Sequence, residues 1–265
     1  MGAVQDGEAS LTARGVAAYR STFDRVPANY GDPEADQRLQ LDVAAGLEPP
    51  PSNMTKYLRA RTFFIDQAVV DAIRDGIRQV VSVGAGYDGR SLRYRAPGVR
   101  WFELDHPSTQ ADKKARLRRL EIPTAAVGFA AADFTRDDIG AALAAVGHDP
   151  TQRTLFTCEG VTAYLDLATI ESLLTSLRAV AAPRGRFALE IPLVTDLPED
   201  DDRRSTLTST VGELGEPLLS SIPRDELEPF LSQVGWEIDR AADPRGVTLG
   251  AGARNTLFIH ASPTA

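Results

Sequence analysis

QVVSVGAGYDGRSLRYRAPGVRWFELDHPSTQ, residues 79–110, is the stretch whose reading decides the fold. It opens with the β-branched run Val80, Val81, Ser82, Val83, the pattern of a strand buried on both faces of a parallel sheet. A glycine turn follows through Gly84, Ala85, Gly86, Tyr87, Asp88 and Gly89. Glycine permits a sharp turn and lets a ligand approach the backbone with no Cβ in the way. A short Arg-rich helix is expected over 90–95, broken by Pro97 and Gly98. A second strand over 99–104 then runs into Asp105. A carboxylate about twenty residues beyond the first glycine can accept hydrogen bonds from ribose hydroxyls.

Two ligands fit that local design. Gly84, Gly86 and Gly89 spell GxGxxG, so a nicotinamide dinucleotide and S-adenosylmethionine (AdoMet) both remain open. Asp88 sits near the start of the following helix, where it would repel a pyrophosphate and suit a sulfonium or ammonium. Arg90 offsets part of that preference.

Beyond residue 110 the pattern repeats. A helix is expected over 108–120, with Lys113, Lys114, Arg116, Arg118 and Arg119 on a solvated face. A strand over 126–131 ends at Asp133 and Phe134, and one over 154–157 ends at Glu159 and Gly160. Helices over 138–146 and 167–181 and a strand over 186–191 continue the alternation. Alternating strands and helices imply a parallel sheet covered on both faces, with ligands at the carboxyl ends of the strands. Gly84, Ala85, Gly86, Asp105, Asp133, Glu159 and Gly160 all fall at such ends. A helix over 223–234 and strands near 235–238 and 255–261, paired around a loop over 243–254, close the chain; the acidic run 196–204 reads as a solvated loop that could form part of a lid, and 206–219 as a helix. Upstream, helices are expected over 11–25, 38–47 and 54–77, a cap preceding the first strand.

GAGYDGR (84–90), FELDHPSTQADKKARL (102–117) and CEGVTAYLD (158–166) resemble the leucine carboxyl methyltransferase family. The resemblance is closest to its bacterial branch of AdoMet-dependent O-methyltransferases, which includes polyketide carboxyl methyltransferases of the tetracenomycin type. It runs from about Leu11 to the C-terminus. Tyr87 and Gly89 depart from the Leu and Thr more usual there, and a more flexible loop is expected in consequence. The resemblance implies an α/β, Rossmann-like class I methyltransferase fold: a seven-stranded, mostly parallel sheet with helices on both faces and an N-terminal helical cap. One domain is expected over 1–265, with the cap over 1–78, the cofactor-binding core over 79–190, a lid or insert and helix over 191–234, and closing strands over 235–265.

The resemblance implies that Arg61, in ARTFFID, holds the AdoMet carboxylate; the alternative is a surface pair with Asp66. Asp105 is expected at the ribose, with His106 near it. Asp133 is expected at the adenine amino group, with Phe134 near the ring. Glu159 is expected beneath the sulfonium and ammonium, because a cation in a partly dry pocket needs a counter-charge. Tyr164, Tyr19 and Arg20 are candidates for the acceptor side, although a surface position suits Arg20 better.

Composition limits the other readings. A net charge of -8 disfavours nucleic acid. No apolar run approaches the ~20 residues of a membrane span, and no apolar signal core opens the chain. Cys158 is the one cysteine, which fits a reducing cytoplasm. His106, His148 and His260 lack metal-ligand spacing, so no metal is expected. The expected activity is methyl transfer from AdoMet to a carboxylate or hydroxyl of a small, polyketide-like acceptor, leaving S-adenosylhomocysteine. An NAD(P)-dependent oxidoreductase and a non-catalytic AdoMet-binding protein are the alternatives. The sequence assigns no oligomeric state.

Overall fold

A computed structural model describes residues 10–47, 52–194, 218–243 and 256–264 of the chain. Its seven strands are β1 (Gln79–Val83), β2 (Arg100–Asp105), β3 (Val127–Ala131), β4 (Thr154–Cys158), β5 (Arg186–Pro192), β6 (Trp236–Ala242) and β7 (Thr256–Pro263). They form one sheet in the order β3-β2-β1-β4-β5-β7-β6. The first five are parallel, and β7 runs antiparallel between β5 and β6. The chain order reverses direction across β1 and β4, which opens a crevice at their carboxyl ends.

The alternation of strand side chains builds two cores. Val80, Trp101, Leu155 and Ala188 cluster with Ile65, Val69 and Ala72 of the long helix α3 (Ser52–Arg74). Val81, Phe102, Phe156 and Leu189, one residue along, cluster with side chains of α6 (Ile139–Ala145), α7 (Leu167–Ala179) and α8 (Leu227–Gln233) on the other face. A third cluster joins Ala17 of α1 (Leu11–Arg20) and Leu39 and Val43 of α2 (Pro33–Ala44) to Tyr87, Leu92 and Leu117. Leu92 lies on the single turn α4 (Arg90–Arg93) and Leu117 on α5 (Pro107–Arg119). The helical cap is thereby seated against the segment that follows the glycine turn.

Two cap boundaries differ most from the sequence reading. α1 stops at Arg20, because the Ser21 and Thr22 hydroxyls donate back to the Ala18 and Tyr19 carbonyls, at 2.7 and 2.8 Å, and compete with helix propagation. α2 starts at Pro33, ahead of the expected residue 38. Asp32 accepts from the Ala35 N–H at 2.9 Å, and proline at the first helical position needs no donor. The 223–234 helix divides into a 3-10 turn, Arg224–Glu226, and α8. The acidic run 196–204, residues 206–217 of the expected 206–219 helix and the loop over 244–254 lie outside the described residues.

The glycine loop is packed, contrary to the flexibility expected of it. Tyr87, Asp88 and Arg90 are buried, and the Tyr87 hydroxyl donates to Asp112. A Cβ at Gly89 would lie 1.8 Å from Asp36 Oδ1. Glycine at 89 therefore serves the docking of α2 and touches no ligand space.

Candidate active site

A cleft runs along the carboxyl ends of β1 to β4, beneath α1, with about 980 Å³ of space including its open mouth. That is ample for a nucleoside carrying an amino-acid chain. Gly84, Ala85 and Gly86 form one wall. Gly84 has φ 62°, and a Cβ there would lie 2.2 Å from Val161 Cγ2, so only glycine lets β1 turn this tightly against the β4 exit.

Asp105 ends β2 and lines the cleft. It accepts from the Gly86 N–H and, at 2.6 Å, from the His106 N–H. Among the described residues no cation pairs with it. Burial pushes its carboxyl up to about 6, and those two N–H groups offset only part of the shift. His106 also lines the cleft, where its Nδ1 caps α5 by accepting from the Ser108 N–H at 3.3 Å.

Asp133 and Phe134 line the same cleft beyond β3. Asp133 closes an Asx turn, accepting from the Thr135 N–H at 2.9 Å and the Thr135 hydroxyl at 2.7 Å. Burial raises its carboxyl, but the Thr135 bonds outweigh this and hold it below the usual range. Asp133 is thus a turn acid that also lines the cleft. Tyr164, on the 3-10 turn Thr162–Tyr164, is a further lining residue.

Glu159 and Gly160, at the β4 exit, complete the floor. Glu159 is not the lone counter-charge the sequence suggested. It pairs with Arg20 at 2.9 Å, Arg61 at 2.9 Å and Arg90 at 2.6 Å. Burial raises its carboxyl, but the Arg20, Arg90 and Arg61 charges hold it well below the usual range. Arg20 and Arg61 are both buried and line the cleft. The surface reading of each therefore fails, and Asp66 is not the partner of Arg61. Asp66 pairs instead with Arg25 and Arg90, each at 2.6 Å. Tyr19 is buried and is not among the cleft-lining residues.

Asp88 is also turned away from the cleft. It pairs with Arg90 at 2.7 Å and its carbonyl accepts from Lys113 at 2.6 Å. Its supposed effect on a bound pyrophosphate therefore has no structural basis. Lys113 corrects the solvated-face reading of α5: it is 2% exposed and pairs with Glu103 at 2.7 Å. Two buried carboxylates, Glu103 of β2 and Glu190 of β5, went unread. Each interrupts an apolar strand, in WFELD and FALEIP, and an acid at a buried strand position was the available signal. Cys158 is buried, and burial followed by the nearby Glu159 charge pushes its thiol up to about 12, which leaves it inert at neutral pH. No metal-ligating cluster occurs among the described residues, and no helix among them is long and apolar enough to cross a membrane.

The sequence pattern of the leucine carboxyl methyltransferase family matches residues 17–178. A candidate AdoMet-dependent methyltransferase of Mycobacterium tuberculosis H37Rv is 32% identical over 194 residues, 70% of this chain and 56% of that one. A candidate of the same description from Frankia alni is 29% identical over 226 residues, 84% of this chain and 73% of its own. The chain thus spans little more than half the length of the mycobacterial relative. Among solved structures, a candidate methyltransferase from Thermobifida fusca aligns with TM-score 0.59 at 17% identity, covering 98% of this chain and 97% of that one. Magnesium protoporphyrin IX methyltransferase from Synechocystis, solved with S-adenosylhomocysteine, aligns with TM-score 0.54 at 13% identity, covering 83% and 90%. At these identities the likeness is one of fold, the class I methyltransferase sheet.

Proposed function

The chain belongs to the leucine carboxyl methyltransferase family, and we propose that it is an AdoMet-dependent O-methyltransferase acting on a small-molecule carboxylate or hydroxyl. The observation that carries this reading is Asp105, a buried carboxylate without a cationic partner among the described residues, on the cleft wall beside the Gly84–Gly86 backbone. A buried acid in that state is destabilising unless a ligand brings it donors, and vicinal ribose hydroxyls are such donors.

The remaining wall fits the same ligand. Asp133 uses Oδ1 on Thr135 and pairs through Oδ2 with the exposed Arg136 at 3.3 Å, and a remaining lone pair of Oδ2 would accept from the adenine amino group, with Phe134 against the ring. Arg61 spends Nε on Glu159 and Nη1 on Glu190, which leaves the two N–H donors of Nη2 for the amino-acid carboxylate. AdoMet, when bound, supplies an electrophilic methyl group on a sulfonium. A carboxylate acceptor, with a pKa of about 4, is already ionised near neutrality and needs no base. The protein then contributes alignment and exclusion of water, and alignment alone can supply roughly 7–11 kcal/mol. Arg20 and Tyr164 are the candidates to orient the acceptor, with α1, whose Ala13 and Val16 line the cleft, as its wall. Tyr19, being off the cleft, is dropped from that role. Buried Cys158 accords with a cytoplasmic enzyme.

Incubation with methyl-labelled AdoMet and separate panels of small carboxylic acids and phenols tests the proposal. Labelled product that is released by mild base identifies a carboxyl ester, and base-stable label identifies an ether. Failure to transfer label to either panel, with AdoMet bound, would favour a binding protein without turnover.

A further inference from the structure

Arg61 is held more firmly than a ligand-binding arginine requires. Its Nε donates to Glu159 at 2.9 Å and its Nη1 lies 3.3 Å from Glu190 Oε2. Glu190 stands on β5, behind the cleft wall rather than on it. Its Oε2 also accepts from the Gly160 N–H at 2.8 Å, and its Oε1 accepts from the Tyr57 hydroxyl. The Thr162 hydroxyl donates to the Glu190 carbonyl at 2.9 Å. One residue thus ties α3, the β4 exit and the 3-10 turn that carries Tyr164. Gly160, at φ 68°, keeps the space open, since a Cβ there would come within 3.2 Å of Arg61 Nη1.

Nothing in the sheet requires an acid at this position. Glu190 lies opposite Phe258 of β7, and its strand neighbours Leu189 and Ile191 are apolar and buried. A carboxylate buried there costs free energy, and burial pushes its carboxyl up to about 7. An aliphatic side chain would suit the strand better, so the acid needs another reason to be there.

We propose that Glu190, steadied by Tyr57, is a positioning residue that fixes the plane of the Arg61 guanidinium so that Nη2 faces the cleft and receives the carboxylate of the bound cofactor. The inference rests on the AdoMet reading of the cleft. Because Arg61 meets only the amino-acid end, Glu190 governs affinity for that end and not for the adenosine end.

The test compares S-adenosylhomocysteine with 5′-methylthioadenosine, which keeps the adenosine and the sulfur but lacks the amino acid. Calorimetric affinities are measured for the whole protein and for Glu190→Gln. The glutamine keeps one acceptor for the Gly160 N–H and removes the negative charge that faces Arg61. Binding of S-adenosylhomocysteine should weaken about tenfold, the effect of one hydrogen bond to a charged group, while methylthioadenosine changes less than about twofold. Tyr57→Phe, which removes only the hydroxyl, should shift the same ratio in the same direction by a smaller factor, and it serves in place of Glu190→Gln if that variant does not fold. Equal weakening of both ligands, or no change in either, overturns the positioning role. If the unmodified protein binds neither ligand, the cofactor reading itself has failed and the inference falls with it.

Discussion

Asp88 lies within the glycine turn and Asp105 accepts from its Gly86 N–H; both are buried, and their surroundings differ in kind. Asp88 belongs to a floor of paired charges in which Asp36, Arg25, Asp66, Arg90, Glu159, Arg20 and Arg61 follow one another. Burial alone would raise its carboxyl, but the Arg90 and Arg20 charges outweigh this and draw it down to about 2. Asp105, on the cleft wall, accepts from two backbone N–H groups, pairs with no cation among the described residues, and is pushed by burial up to about 6. The difference teaches which acids are available. A carboxylate whose charge is already neutralised holds the cap to the sheet, and one left under-satisfied waits for a ligand.

The largest effect should come from the floor. Arg90→Met leaves Asp66, Asp88 and Glu159 without their shared cation, and the stability to denaturant should fall by about 3–5 kcal/mol. A loss below 1 kcal/mol would show that the floor is not a coupled unit. Next, Asp105→Ala should weaken S-adenosylhomocysteine on the order of a hundredfold, through two lost charge-assisted hydrogen bonds, without lowering stability. Asp88→Asn should do the reverse, lowering stability while affinity stays within about threefold, under 1 kcal/mol. If both variants lose affinity alike, the division into floor and wall is wrong.

Titration should separate the two acids by sign. Ribose hydroxyls donate to the ionised form of Asp105, so affinity should be flat above pH 7 and decline below about pH 6, by up to roughly tenfold per unit. The same raised value means that the ligand-free protein gains stability from Asp105 as pH falls from about 6 toward 4. Asp88, with its lowered value, contributes stability on the order of 2 kcal/mol above about pH 4, lost as pH falls toward 2. A pH series of binding affinity and unfolding midpoints, repeated in Asp105→Asn, checks both signs. The smallest effect belongs outside either region. Arg119 pairs with Asp42 at 2.7 Å with its side chain 57% exposed, and Arg119→Ala should change stability by under about 0.5 kcal/mol.

The wall was legible in the sequence and most of the floor was not. Strand ends can be read from apolar runs that stop at Gly84, Asp105, Asp133 and Glu159, because strand periodicity and the position of binding sites in parallel sheets follow local rules. Ion pairing across the cap follows no such rule. Lys113 reads as one more cation on a basic helix until Glu103 is found beneath it, 2.7 Å away. Arg20 and Arg61 lie on separate helices, and only the fold brings both to Glu159. Glu103 and Glu190 were the exceptions that sequence could have marked. The end of α1 and the start of α2 were decided by side-chain hydrogen bonds at Ser21, Thr22 and Asp32, which hydrophobic spacing does not register.

Calorimetric titration of the whole protein with S-adenosylhomocysteine and, separately, with NADH bears most directly on the cleft. Micromolar binding of the first, abolished or strongly weakened in Asp105→Ala, and no binding of the second is the predicted result. Binding of NADH without S-adenosylhomocysteine would contradict it, leaving the glycine turn and Asp105 as a ribose site for a different cofactor.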